Sequence, residues 1–213
     1  MKEISLTVAI LLVSIATISA QPQLEKGRIL LGATSTVALS GSVSSELISL
    51  GFIKATYKYG SGPAEDAFKR TTYNILPKAG YFVIDNLAAG LHAVVAGYTE
   101  KDLEYDDTYI ESTIGIGPFV RYYYPLDRFY PFAEAEMLFG TARELWYSDD
   151  ERTPFVMLGV LVGTALPLGD NVTFDVAAGY LRSSMKDTDT ETEEKVNFIT
   201  SGFCLRMGFT IYL

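Results

Sequence analysis

One histidine, His92, and one cysteine, Cys204, are the sole residues of their kinds among 213, so nucleophile-and-base chemistry would have to be built around them. In an extended chain the same-face neighbours of His92 are Gly90 and Val94, and no local serine accompanies it. A hydrogen-bonded interior histidine is therefore the expected reading, and Cys204 reads as a small packed side chain. One cysteine also excludes an intramolecular disulfide and a cysteine cluster for a metal. A second set is marked by spacing: Lys78, His92, Glu111, Arg121, Glu134, Glu136, Asp175 and Arg206 each fall on the polar side of an alternating segment. Three permanent cations facing four carboxylates in an enclosed space must be paired or hydrated, because an isolated buried ion is costly. The set is expected to form a structural ion-pair network, or, with water beside it, a gated polar path.

The elements that carry these residues read as strands. From Asn197 to Leu213 the odd positions include Phe203, Leu205, Met207, Phe209, Ile211 and Leu213, while the even positions hold Gly202, Cys204, Arg206, Gly208, Thr210 and Tyr212. Between 110 and 124 Ile110, Ser112, Ile114, Ile116, Pro118, Val120, Tyr122 and Tyr124 oppose Glu111, Thr113, Gly115, Gly117, Phe119, Arg121 and Tyr123. The pattern repeats at 132–142 and 172–180, and less cleanly at 28–39, 73–84, 87–99 and 154–166. Large apolar residues on one face and charged or small ones on the other predict an all-β, eight-stranded antiparallel up-and-down transmembrane β-barrel, apolar outside and polar within. A soluble sandwich or lipocalin-like barrel is the competing fold.

Short links at Asp85-Asn86, at Leu126-Asp127-Arg128-Phe129 and at Gly169-Asp170-Asn171 alternate with longer polar ones at about 41–71, 100–108, 147–153 and 185–195. Three short turns and four long loops place both termini at the short-turn end. Aromatics predict two interfacial girdles: Tyr81, Phe82, Tyr122, Tyr123, Tyr124, Phe129, Tyr130, Phe132 and Tyr212 near the short turns, with Tyr98, Tyr105, Tyr109, Trp146 and Tyr147 near the loops. Inward glycines (Gly32, Gly80, Gly90, Gly115, Gly117, Gly202 and Gly208) are expected to leave room for water.

Residues 1–20 read as a secretory signal peptide, with Lys2, an apolar run from Ile4 to Ile18, and Ser19-Ala20 before Gln21. Residues 21–213 then form one barrel domain. The run from Phe155 to Leu168 is too short for a spanning helix and holds Gly159, Gly163 and Pro167. With 26 acidic against 17 basic residues, net charge −9 and pI near 4.6, no nucleic-acid partner is expected. Glu100, Asp102, Glu104, Asp106, Asp107, Asp149, Asp150, Glu151, Asp187, Asp189, Glu191, Glu193 and Glu194 make the loops acidic, without EF-hand spacing, so a solvated surface is expected. The first loop, with Leu47, Ile48, Leu50, Phe52 and Ile53, is apolar enough to contact another protein.

Three segments, Lys26-Gly27-Arg28-Ile29-Leu30-Leu31-Gly32, residues Pro77 to Gly90, and the closing Gly208-Phe209-Thr210-Ile211-Tyr212-Leu213, together with the leader, resemble the small outer-membrane β-barrel family of Gram-negative bacteria. The likeness is to the OmpX, OmpW and OmpA-barrel type, Bacteroidetes members especially, and it spans the whole mature chain. Such proteins often end in Phe, which the assembly machinery reads, whereas this chain ends in Tyr212-Leu213. The resemblance implies the outer membrane as location after export through the periplasm, outer-membrane lipid and the barrel assembly machinery as partners, and a monomer without cofactor. It implies a structural or surface-interaction role through long extracellular loops, toward an extracellular protein or surface ligand. A passive channel for a small solute, as in OmpW-like members, comes second. A lipid-modifying outer-membrane enzyme comes third, and the chain is read as a non-enzyme.

Overall fold

The computed structural model describes residues 22–40, 51–58, 64–102, 107–126, 128–146, 149–188 and 195–213. The leader, Tyr105, Asp127, Tyr147 and the apolar loop positions Leu47, Ile48 and Leu50 lie outside them.

The strands are β1 (Ile29–Ser40), β2 (Gly51–Lys58), β3 (Ala64–Ile84), β4 (Leu87–Asp102), β5 (Thr108–Tyr123), β6 (Tyr130–Trp146), β7 (Asp149–Pro167), β8 (Val172–Thr188) and β9 (Lys195–Tyr212). Every pairing is antiparallel, in the sheet order β1-β9-β8-β7-β6-β5-β4-β3-β2. A further pairing of β1 with β3, Ile29 opposite Tyr81 through Thr34 opposite Leu76, closes eight staves into a barrel. Closure leaves no free edge at the level of these pairs, which is what a sheet requires to sit in lipid.

Both termini lie at the short-turn end, where the Ile29 and Leu213 backbones exchange two hydrogen bonds of 2.9 Å. Asn86, at φ 65°, turns β3 into β4. Leu168 N donates to Val172 O at 2.9 Å across the β7–β8 turn, and Tyr124 N donates to Pro131 O at 2.7 Å across the β5–β6 turn.

Two expectations change here. The link at about 41–71 contains β2 and the first part of β3, which pair from Gly51 opposite Thr72 to Lys58 opposite Ala64. The other long links also shrink, because β4, β6, β7, β8 and β9 continue past the ends that alternation marks. Alternation needs one dry face, and, β2 apart, these outer portions carry polar side chains on both faces, so their strand character is silent in the sequence.

The outward faces are apolar in the middle of the staves. Ile114, Val160, Val162 and Phe203 are each at least 59% exposed, and Leu91, Ile116, Phe139, Leu158, Tyr180, Phe209 and Ile211 join them around the perimeter. A water-soluble barrel would bury such residues; lipid rewards their exposure. Among the described residues no helix is long and apolar enough to cross a membrane, so the crossing is made by strands.

Candidate functional site

Charged side chains from five staves converge in the lumen. Glu134 on β6 is the hub: Lys78 Nζ of β3 donates to its Oε1 and Oε2 at 2.8 and 2.9 Å, and Arg121 Nε of β5 donates to Oε2 at 2.5 Å. Arg206 of β9 makes a two-pronged bond to Glu136, Nη1 to Oε2 at 2.6 Å and Nη2 to Oε1 at 2.8 Å. It also reaches Glu134 Oε1 at 3.4 Å and Thr36 Oγ1 at 3.1 Å. Arg121 Nη1 continues the chain to Asp175 Oδ2 of β8 at 2.5 Å. Asp175 is completed by the Thr173 and Thr210 hydroxyls, at 2.7 and 2.9 Å. All six ions are buried, and three cations meet three carboxylates. Paired and hydrogen-bonded on this scale, buried ions tie staves together, whereas removal of any partner strands its neighbour.

A layer of rings closes the lumen below the ions. Arg121 lies 4.0 Å from the Phe132 ring centroid and 5.6 Å from that of Tyr123. Phe82, Tyr123, Phe132 and Tyr212 contact one another with centroids 5.7 to 6.3 Å apart. Under the rings the chain before β1 folds across the mouth as a short 3-10 turn, Pro22–Leu24, and Leu24 is fully buried. Leu24 O accepts from Asn86 N at 2.8 Å, Gly27 N donates to Phe82 O at 3.0 Å, and Tyr130 OH donates to Gln23 Oε1 at 3.2 Å. The segment is pinned at three points, so Leu24 acts as a stopper.

Above the ions the lumen holds a mostly apolar cavity of about 50 Å³, part of it open to the outside. Leu76, Val94, Ala96, Phe155, Met157, Leu181 and Met185 form its walls, with Arg206 and Thr36 at its floor.

The sequence-marked residues therefore fall into three places. Lys78, Arg121, Glu134, Glu136, Asp175 and Arg206 form the network. His92 is at its margin: Nδ1 lies 3.4 Å from Glu136 Oε2 without hydrogen-bond geometry, and Nε2 lies 3.4 Å from Met137 O. Glu111 stands apart, higher up, lining the cavity. Cys204 is buried and unbonded to another sulfur.

Two expectations about filling are corrected. Phe82, Tyr123, Tyr130, Phe132 and Tyr212 are not girdle residues; they are buried in the lumen, and only Tyr81, Tyr124 and Phe129 of that set are well exposed. Residue type says nothing about which face a ring takes, and strand parity decides it. Several inward glycines make room for side chains rather than water. A Cβ on Gly80 would meet Phe119 Cζ at 2.9 Å, one on Gly32 would meet Lys78 Cγ at 3.1 Å, and one on Gly115 would meet Phe155 Cζ at 3.0 Å. Thr36, Thr173, Thr210 and Leu24 were not marked from the sequence. The same parity that marked Asp175 and Arg206 also turns Thr173 and Thr210 inward; nothing local marks Leu24.

A closed eight-stranded antiparallel barrel with an apolar outer wall, a charged interior and both termini at its short-turn end is the architecture of a transmembrane β-barrel of the outer-membrane type. Similar solved structures are the Neisserial surface protein A, at 19% identity and TM-score 0.42 over 86% of this chain and 95% of the other. OprG from Pseudomonas aeruginosa is 14% identical, with TM-score 0.46 over 91% and 99%. Ail of Yersinia pestis, solved in complex with the heparin analogue sucrose octasulfate, is 9% identical, with TM-score 0.47 over 88% and 99%. No protein-family model matches the chain, and no curated protein matches it in sequence. At these identities the likeness is one of fold, and a fold of this kind hosts binding, transport and catalysis alike.

Proposed function

We propose that the protein is a sealed barrel with a structural or surface-interaction role, exerted by the strand extensions and connecting segments above the lipid. The observation that supports this most is the closure of the lower lumen by Leu24, the ring layer and six mutually compensated ions. Eight staves leave little interior beyond what side chains fill, and here no surplus charge remains among the six to escort an ion. The test is conductance of the refolded protein in a planar bilayer, beside Leu24→Ala, Arg121→Ala and Glu134→Ala. A silent parent is expected. Steps in the parent that change with these substitutions would replace this reading with a conducting path. Bacteria carrying a chain trimmed of residues 42–63 are expected to lose adhesion that the parent confers, with permeability unchanged.

The upper cavity favours a second reading, in which an apolar solute enters from outside and leaves by another route than the floor. Faster uptake of such a solute by cells carrying the parent than by cells lacking it would put that reading first. A lipid-modifying reaction is the weakest of the three, because the ring of His92 is buried against Glu136, Met137 and Phe119, with no hydroxyl nucleophile bonded to it among the described residues. Unchanged lipid composition in cells lacking the protein is the corresponding expectation.

A further inference from the structure

One titratable side chain of the lumen is left unsatisfied by the ion network. His92 is the single histidine of the chain, its side chain is fully buried, and no hydrogen bond reaches its Nδ1. Its other ring nitrogen, Nε2, lies 3.4 Å from Met137 O. A carbonyl oxygen only accepts, so Nε2 carries the hydrogen of the neutral ring and Nδ1 keeps a bare lone pair. That lone pair faces Glu136 Oε2 at 3.4 Å. Two acceptors thus oppose each other in an enclosed space, an arrangement that is unfavourable until a proton lies between them.

The neighbours decide what such a proton does. Lys78 on β3 stands opposite His92 in register, and Gly117 and Phe119 face it from β5, the Phe119 ring centroid 6.0 Å away. The other charged groups at this level are Arg121 on β5, Glu134 and Glu136 on β6, and Arg206 on β9, with Asp175 of β8 reached through Arg121 and the Cys204 thiol beside Arg206. From β7 comes only Gly159, where a Cβ would meet Glu136 Oε1 at 2.8 Å. Lys78, Arg121 and Arg206 balance Glu134, Glu136 and Asp175, so a proton on His92 adds one net positive charge.

Glu136 Oε2 is also the oxygen that holds Arg206 Nη1, at 2.6 Å, and the same Nη1 reaches Glu134 Oε1 at 3.4 Å. A protonated Nδ1 competes for Oε2, and Nη1 has a second acceptor already within reach. Nη2 keeps Glu136 Oε1, at 2.8 Å. Arg206 and Thr36 form the floor of the upper cavity, whose open part admits water and therefore protons.

We propose that His92 Nδ1 and Glu136 Oε2 form a proton-binding site in the lumen, and that proton uptake there shifts Arg206 Nη1 from Glu136 toward Glu134 at the cavity floor. Acidity outside is thereby read as a rearrangement inside the barrel. The inference holds whether the lower lumen is sealed or conducting, since the same three side chains are in place in either case.

A single histidine makes the test direct. The untagged protein, labelled with nitrogen-15 in histidine and arginine, is refolded in phosphatidylcholine nanodiscs and followed by NMR from about pH 7.5 to about pH 4.5, a range that spans ordinary histidine titration. Folding is checked by heat-sensitive mobility in SDS. At the upper pH one ring nitrogen should be protonated and one bare. On acidification the bare one should become protonated, and the Arg206 guanidinium resonance, recognised by its loss in Arg206→Lys, should move in step with it. His92→Gln should hold the Arg206 resonance still over the same range. Glu136→Gln should weaken proton uptake about tenfold, because the opposite charge beside the ring is gone. If Glu136→Gln does not fold, the His92→Gln comparison decides alone. A ring nitrogen that stays bare at the lower pH in the folded parent would overturn the proposal, as would a ring that is protonated while Arg206 stays still, an Arg206 resonance that moves as much in His92→Gln, or loss of the fold before the ring titrates.

Discussion

Below Arg206 the lumen is filled by ions and rings that satisfy one another, whereas above it the same staves carry aliphatic side chains that leave a cavity. The lower region uses glycine as a complement to bulk, Gly80 under Phe119 and Gly32 beside Lys78, so that large groups interdigitate across neighbouring strands. In the upper region Phe155 and Leu181 are fitted against Gly115 and Gly159 in the same way, but with Met157 they also border the cavity. Substitutions below should therefore be felt through stranded charges and lost packing, and equivalent ones above should be partly absorbed by room already present.

Glu134→Ala should show the largest effect. It leaves Lys78 and Arg121 without their shared carboxylate and weakens the hold on Arg206. Breaking a buried ion cluster from one side costs about 3 to 5 kcal/mol, read as denaturant unfolding in lipid vesicles. A loss below about 1 kcal/mol would mean that water replaces the carboxylate and that the lower lumen is wetter than its packing implies.

The comparison sharpens with one chemical change made in both regions. Leu24→Ala truncates a fully buried stopper and should cost about 3 kcal/mol, whereas Leu181→Ala, beside the cavity, should cost nearer 2. Leu24→Ala should also speed exchange of the Asn86 amide, which bonds to Leu24 O. Equal costs would show that the upper region is as tightly determined as the lower. Gly80→Ala adds one methyl against Phe119 and Ala89 O, and overpacking of this kind costs about 1 to 3 kcal/mol. Phe119→Leu in the same chain should recover part of that loss.

How far the amino-acid sequence foretells these regions follows from where a dry face exists. Arg206, Asp175 and Arg121 are legible as interior charges because Met207, Val176 and Val120 beside them face lipid, so alternation between apolar and polar is unbroken. Glu111 obeys the same parity yet sits too high to join the network, because parity gives a face and not a height. Tyr123 and Tyr212 had parity pointing inward while their residue type suggested an interface, and parity prevailed. In β2 the run Ile53-Lys54-Ala55-Thr56-Tyr57-Lys58 alternates apolar with polar residues, a strand signal too short to stand out within the long link, whereas the outer end of β3, from Ala64 to Thr72, does not alternate and so does not separate strand from loop. Leu24 lies in no periodic element at all; its burial depends on the turn at Pro22–Leu24 meeting Asn86 from a distant hairpin, a contact that only the closed barrel creates.

The smallest expected effect tests the outer margin of the same comparison. Arg70 Nε of β3 donates to Glu100 Oε2 of β4 at 2.7 Å, and its guanidinium lies 5.4 Å from the Tyr98 ring centroid. The two side chains are 39% and 30% exposed, so water competes for both charges and the pair lacks the enclosure that strengthens the six ions below. Arg70→Ala should cost less than about 1 kcal/mol, and a double-mutant cycle with Glu100→Ala should return a coupling that shrinks as salt rises, since exposed pairs are screened over about 10 Å at 0.1 M. The coupling between Arg206 and Glu136, measured the same way, should be several-fold larger and insensitive to salt. If the two couplings responded alike, salt would be reaching the buried ions, and the sealed lower lumen on which the proposed role depends would have to be given up.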